Sequence, residues 1–276
     1  MNKTLWFALC TLLLSSCVKQ DQMSERSETQ KPHEGSPPVN KAYPTASESQ
    51  LKGVVRTRFD SPNPTPAQLA RRAKNNKTIR NMGLPVLEDL PVVEDEKTVK
   101  LRSAEEIAKR CLATTFCAVK GETKDQAFVD SLIKDYSAAT FFSPVEQRFI
   151  RDVSPPQQSL IDFSWRYESV HVLLWAMGTR DTLCAPNEVC PVSEDMKLIK
   201  MAGPARFVAV AKRRPPQEIL DAADYYYRLH WAAVELRIKD NKSPLLDEGV
   251  IRERHRALNW LIGHLNQEWD DVTTDT

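Results

Sequence analysis

The chain has 276 residues, 41% of them hydrophobic, enough to build one sizeable core. Its 38 Lys and Arg nearly cancel 37 Asp and Glu, so no global field draws it onto nucleic acid, and nucleic acid is set aside as a partner. Only 8 glycines favour helices over hairpin-rich sheet. The local basic run Lys212-Arg213-Arg214 reads as a solvated face.

At the N-terminus, Met1-Asn2-Lys3 supplies one positive charge, Leu5 to Leu14 is a short apolar run, and Ser15 and Ser16 follow. That is the order of a secretory signal, and the run is too short to span a bilayer. Leu14-Ser15-Ser16-Cys17 resembles the bacterial lipobox. The resemblance implies a signal peptide over 1–16, cleavage before Cys17, and lipid, palmitate included, on the sulfur and amine of Cys17. Several acyl chains, at about 0.8 kcal/mol per buried methylene, make such attachment effectively permanent. The expectation is a cell-envelope lipoprotein anchored to a membrane without spanning it. Val18 stands where an aspartate would resemble an inner-membrane retention signal, which favours the outer membrane, facing the periplasm.

Residues 17–64 are rich in Ser, Glu, Gln, Lys and Pro and poor in large apolar groups, so they read as a disordered tether. Its root-mean-square span is on the order of 40 Å. The short Gly53–Phe59 run is read as one strand or a clip onto the following domain.

From residue 65 onward the helix punctuation is regular. Thr65-Pro66-Ala67-Gln68, Ser103-Ala104-Glu105-Glu106 and Ser143-Pro144-Val145-Glu146 each place a hydroxyl three residues before Glu or Gln, the capping-box spacing. They predict helices near 66–81, 104–118, 124–135 and 144–152, with an extended, proline-punctuated connector after the first. Longer helices are predicted over about 158–177, ended by Gly178, then 216–239 and 248–267. Between Gly178 and Pro215 the chain reads as loop, with a short helix through Phe207–Lys212. The architecture expected over 65–276 is mainly α, a single domain of about seven helices with little strand.

Four cysteines remain beyond the signal: Cys111, Cys117, Cys184 and Cys190. Outside the cytoplasm an even count invites disulfides. Cys184 and Cys190 flank a loop that Pro186 and Asn187 can turn back on itself, and are the expected pair. Cys111 and Cys117, in one regular helix, stand about 9 Å apart along its axis and face different directions. Either the helix breaks before Cys117 or the bond crosses to the loop. Neither pair has the short spacing of a zinc ribbon.

Three apolar stripes each carry charge. Glu168 interrupts Ile161, Trp165, Val172 and Trp175; Asp224 interrupts Leu220, Tyr227, Trp231, Val234 and Ile238; Arg254 interrupts Ile251, Leu258, Leu261 and Leu265. A buried ion needs a partner, so Arg254 is expected to pair with Glu168, Asp224 or both, with Arg228 one turn beyond Asp224. Such a cluster serves either as an ion network fixing helix register, or as a pocket floor where an arginine beside two carboxylates holds an anionic group. Glu168-x-x-His171 has the spacing of a di-iron carboxylate helix, but no second copy exists, so no metal and no cofactor is expected. His230 and His255 are single helix histidines without a catalytic context. The chain has no Gly-x-Ser-x-Gly elbow, phosphate-binding glycine loop, His-Glu-x-x-His or Cys-x-x-Cys.

Taken in order, RNMGLPVLEDLP (80–91), LRSAEEIAKR (101–110), SWRYESVHVLLWAMG (164–178), EILDAADYYYRLHWA (218–232), VIRERHRALNWL (250–261) and WDDVTTDT (269–276) resemble the domain of unknown function 4272 family. The matching positions are Trp165, Arg166, Glu168, Trp175, Asp224, Arg228, His230, Trp231, Glu253, Arg254, His255, Asn259, Trp260, Trp269, Asp270 and Asp275. The resemblance implies a mostly helical domain with no established activity, substrate or cofactor. His171 and the lipoprotein leader depart from the pattern. Arg166, His230, His255, Asn259 and Asp270 are expected at the rim of the charged cluster. The acidic, aromatic tail is expected to dock by seating Trp269, with Asp270 and Asp271 meeting basic side chains.

The function expected is an envelope-anchored binding domain, with the membrane as partner through its lipid and an envelope protein or cell-wall component as the other. The alternatives are a hydrolase-like enzyme using Glu168 and Asp224 as acid and base, and a periplasmic immunity-type protein, for which only size and location speak.

Overall fold

The hydroxyl caps predicted from the sequence each start a helix in the structure, a computed structural model that describes residues 63–276. Thr65 opens α1 (Pro66–Asn81), Ser103 opens α2 (Ala104–Thr123), Asp125 opens α3 (Gln126–Asp135) and Ser143 opens α4 (Pro144–Arg151). At Thr65, Ser103 and Ser143 both halves of the capping box are made, so two orphan amides are satisfied at each start. The signal segment, Cys17, the Gly53–Phe59 run and all of the tether before residue 63 lie outside the described residues.

The single helix expected over 158–177 is two, α5 (Gln157–Ser164) and α6 (Tyr167–Ala176). At the junction the amides of Arg166 and Glu168 bond to Phe163 and Trp165, three residues back rather than four, which tightens the winding and re-aims α6. A helix not predicted, α7 (Val192–Ala202), follows Pro191 with Glu194 and Asp195 in its first turn. The segment Phe207–Lys212, expected as helix, is instead a series of turns beyond Gly203. The last two helices are α8 (Pro216–Ile238) and α9 (Glu248–Leu261). The second stops six residues before its predicted end because Gly263 adopts φ +61, where an added Cβ would sit 2.9 Å from the Lys100 carbonyl. The described residues are all-helical, with no strand.

Packing runs α1 on α8, α8 on α9, α9 on α6 and α6 on α2, with α3, α4 and α5 also on α2 and α7 on α6. Every residue of α6 is buried, as is the unbroken run Cys111–Gly121 of α2. Helices buried on all sides belong at the centre of a fold, and these two hold that place although each buries a charged residue, Glu168 on α6 and Lys120 on α2. Lys120, within the buried run, donates its ammonium to the carbonyls of Phe149, Ile150 and Asp152, so a cation satisfies the C-terminal end of α4.

The cysteine pairing expected from the sequence is corrected here, because all four thiols are free. α2 runs unbroken through Cys111 and Cys117, whose thiols point into the apolar interior, and burial raises the pKa of both. The loop between Cys184 and Cys190 does turn back, but it closes around a guanidinium rather than through sulfur.

α2 and α5 pack closely at Gly121, where an added Cβ would meet the Leu160 carbonyl oxygen at 2.6 Å and the Ser164 nitrogen at 2.8 Å. Both are backbone atoms that cannot swing aside. Gly121→Ala is therefore expected to destabilise the domain by about 1–3 kcal/mol through overpacking, despite its gain in helix propensity. Thermal unfolding checks this, at roughly 2–4 °C per kcal/mol for a domain of this size.

Candidate functional site

α6 and α9 pack directly, which brings Glu168 and Arg254 together. Arg254 Nε donates to Glu168 Oε2 at 2.9 Å, with Arg254 side-chain exposure at 0% and Glu168 at 3%. The other guanidinium nitrogens donate to the carbonyls of Cys184, Ala185 and Glu188 and to the Tyr226 hydroxyl. The second Glu168 oxygen accepts from the Cys190 amide at 2.7 Å. Burial opposes the Arg254 charge, but Tyr226 and Glu168 outweigh it and hold its pKa above the ordinary arginine value. The ion pair thus fastens the 184–190 loop to α6, α8 and α9.

Asp224 does not join this pair: of the partners expected for Arg254, Glu168, Asp224 or both, the structure brings Glu168 alone to it. Its oxygens accept from Arg228 Nε and Nη2, both at 2.8 Å, and from Asn75 on α1 at 2.8 Å. Both partners of the pair lie on α8, and Asn75 ties it to α1; Arg228 also lines a small pocket with Ile79, Pro85, Leu87 and Trp231. Glu168 and Asp224 therefore belong to two ion pairs with different arginines.

The expected rim residues distribute over further contacts. Arg166 pairs with Glu253 at 2.7 Å, and Ser169 donates to the same carboxylate. Asp270 accepts from the Ser143 hydroxyl at 2.5 Å and the Val145 amide at 2.9 Å. It therefore caps α4 rather than pairing with a basic side chain as expected. Trp269 is seated, 3% exposed, with the guanidinium groups of Arg256 and Arg110 at 4.3 Å and 5.1 Å from its ring centre and Trp260 edge-on at 5.4 Å. Burial, then the charge of Arg166, pulls Arg256 down to about 10, which leaves it cationic at neutral pH. Asn259 donates to the Thr273 carbonyl, so the tail is stitched to α9. Arg110 also pairs with Glu146, the N3 residue of the α4 capping box.

His171 departs furthest from a metal ligand. Its Nε2 accepts from the Cys184 amide at 3.2 Å, so Nδ1 carries the proton and donates to Asp195 Oδ2 at 2.8 Å. Asp195 is held in turn by Arg180 at 2.6 Å. Among the described residues, no group of three or more His, Cys, Asp or Glu is placed to hold a metal ion. The sequence alone does not single out Asp195 or Tyr226 as partners. The acidic first turn before Met196-Lys197-Leu198-Ile199 was the signal for α7 and hence for Asp195. Tyr226 gave none, because it differs from its neighbours Tyr225 and Tyr227 only in where α8 points it.

His230 and His255 meet Nδ1 to Nδ1 at 3.1 Å, one donating and one accepting. Burial, and next to it His230, holds His255 well below the ordinary histidine pKa; burial lowers His230 too. Both rings are therefore neutral when folded, while the unfolded chain titrates near pH 6.5. A depressed folded pKa contributes stability that is present above the unfolded value and is lost as pH falls from there toward the folded value.

Two outcomes are expected. Arg254→Met or Glu168→Gln alone leaves a buried charge or polar group unpaired, and the arginine change is expected to cost about 3–5 kcal/mol in urea unfolding. The double variant costs less than the sum, because the two groups share one interaction. Urea unfolding from about pH 7.5 down to about 5 is expected to show a falling midpoint that flattens in His255→Gln, each proton contributing at most about 1.4 kcal/mol per pH unit.

No curated protein and no solved structure matches the chain. Residues 71–272 match the family described as a domain of unknown function (DUF4272), a stretch that takes in every helix from the second turn of α1 onward, and the chain belongs to that family.

Proposed function

We propose that the protein is a lipid-anchored binding component of the bacterial cell envelope, tethered through Cys17 and facing the periplasm from the outer membrane. The domain presents a surface to an envelope protein or cell-wall component, and the tether sets its reach. Support for the anchor is Leu14-Ser15-Ser16-Cys17 at the end of an apolar run behind a single lysine. Among the described residues no helix is long and apolar enough to cross a membrane.

The observation that favours binding over hydrolysis is the saturation of Glu168 and Asp224. An acid and a base that share a substrate must face one space, and each needs an oxygen free for proton transfer. Here both Glu168 oxygens are taken by Arg254 and Cys190, and both Asp224 oxygens by Arg228 and Asn75.

In a bacterial host fed an alkyne palmitate analogue, the wild-type chain is expected to take up label and sediment with membranes, and Cys17→Ser to lose both. In-cell crosslinking is expected to recover one envelope partner from the wild type and not from Cys17→Ser. An unlabelled wild-type chain would sink the anchor, and a labelled chain with no reproducible partner would sink the binding role.

A further inference from the structure

Between Asp195 and Glu218 the chain carries six cations and no carboxylate, in a protein whose charges otherwise balance. The acids that bound this stretch are already engaged: Glu194 and Asp195 by Arg180, and Glu218 by Arg214. Arg214 itself turns inward, donating to the carbonyls of Trp175, Arg180 and Asp181, so it is not part of the solvated run predicted from the sequence. Lys197, Arg206 and Lys212 are exposed and form no ion pair among the described residues.

The same stretch exposes apolar side chains. Met201 is 83% exposed and Val210 50%, and Pro204, Ala205 and Ala209 are exposed between them. On α7 the exposed Lys197 and Met201 lie one turn apart on one face, while Met196 and Ile199 are buried. Beyond Gly203 the chain is held as a fixed knuckle. Gly203 carbonyl accepts from the Arg206 and Phe207 amides, the Val210 amide bonds back to Arg206, and Phe207, 4% exposed, is driven into the core as its root. Exposed apolar side chains thus alternate along this stretch with exposed cations, of which Lys197, Arg206 and Lys212 form no ion pair among the described residues. Singly exposed apolar residues are ordinary, and Val153 and Ile238 are exposed elsewhere in the domain; what sets this stretch apart is that its exposed apolar residues are interspersed with cations and no carboxylate.

We propose that the Lys197–Arg213 face is a docking surface for a bilayer bearing anionic lipid headgroups, with Lys197, Arg206 and Lys212 over the phosphates and Met201 and Val210 entering the headgroup boundary. A short apolar protrusion flanked by lysine and arginine has the two chemistries such an interface requires, shallow apolar burial and attraction to surface charge. A soluble polyanion would use the cations and leave Met201 and Val210 in water, which is why the bilayer is the occupant favoured. The surface belongs to the folded domain and does not depend on lipid at Cys17.

The test is hydrogen–deuterium exchange of the full chain, free and with vesicles of phosphatidylcholine alone or mixed with phosphatidylglycerol. Because the readout is local, binding through the N-terminal segment is separated from binding through this face. Amides over 200–213 are expected to gain protection on the mixed vesicles only, and to lose it in high salt and in Lys197→Glu/Arg206→Glu/Lys212→Glu. Exchange in α2 and α6 of that variant should stay unchanged, which excludes misfolding. Met201→Ser/Val210→Ser is expected to weaken the protection at least severalfold. Absent protection on mixed vesicles, or equal protection on phosphatidylcholine alone, overturns the proposal. So does equal protection by a soluble oligonucleotide that survives Met201→Ser/Val210→Ser, since the face would then read charge without a bilayer.

Discussion

The Glu168–Arg254 ion pair is the constraint around which the centre of this domain is organised. A charge with no partner in an apolar interior is too costly to persist, so Arg254 on α9 fixes where Glu168 on α6 must be. The guanidinium has more donors than one carboxylate can take, and the remainder draw in three carbonyls of the 184–190 loop and the Tyr226 hydroxyl. Glu168 reciprocates by accepting from the Cys190 amide. One residue on each of two helices therefore braces a loop whose own backbone adds a turn bond from the Glu188 amide to the Ala185 carbonyl.

The same logic recurs at other helix contacts. Asp224 and Arg228, with Asn75, join α1 to α8; Arg166 and Glu253 join α6 to α9; Arg110 and Glu146 join α2 to α4. His171 and Asp195 add α7 to α6, and Asp270 brings the C-terminal tail onto the start of α4. Apolar packing supplies most of the stability but is tolerant of register, whereas a buried pair is satisfied in only one register. Apart from Asp224–Arg228, which lies within α8 and reaches α1 through Asn75, the pairs join different elements and so fix how those elements meet.

With the interior acids committed to partners, the surface between Asp195 and Glu218 is left positive by composition and apolar by exposure. Inner charges hold the scaffold, while Lys197, Arg206 and Lys212 on this surface form no ion pair among the described residues.

Local signals determined much of the secondary structure. Thr65, Ser103 and Ser143 announced their helices because a capping box is satisfied within four residues and needs no tertiary help. The interrupted apolar stripes likewise announced that Glu168, Asp224 and Arg254 are buried, since helical spacing alone places them on the packing face. The sequence left open which arginine meets which carboxylate, because residues 86 positions apart are joined only by packing. It also missed the break between α5 and α6, a change from four-residue to three-residue bonding at Arg166 and Glu168 that no propensity marks. The cysteines show the division most plainly. Spacing and a turn made Cys184 and Cys190 a plausible pair, but the loop backbone bonds Arg254 and Glu168 instead, and its two thiols stay free. Sequence by itself determined where the hydroxyl-capped helices begin and that Glu168, Asp224 and Arg254 are buried, since both follow from neighbours within a turn. Tertiary structure alone decided the partners of those charges, because a buried ion is satisfied by whatever the fold brings within about 3 Å of it.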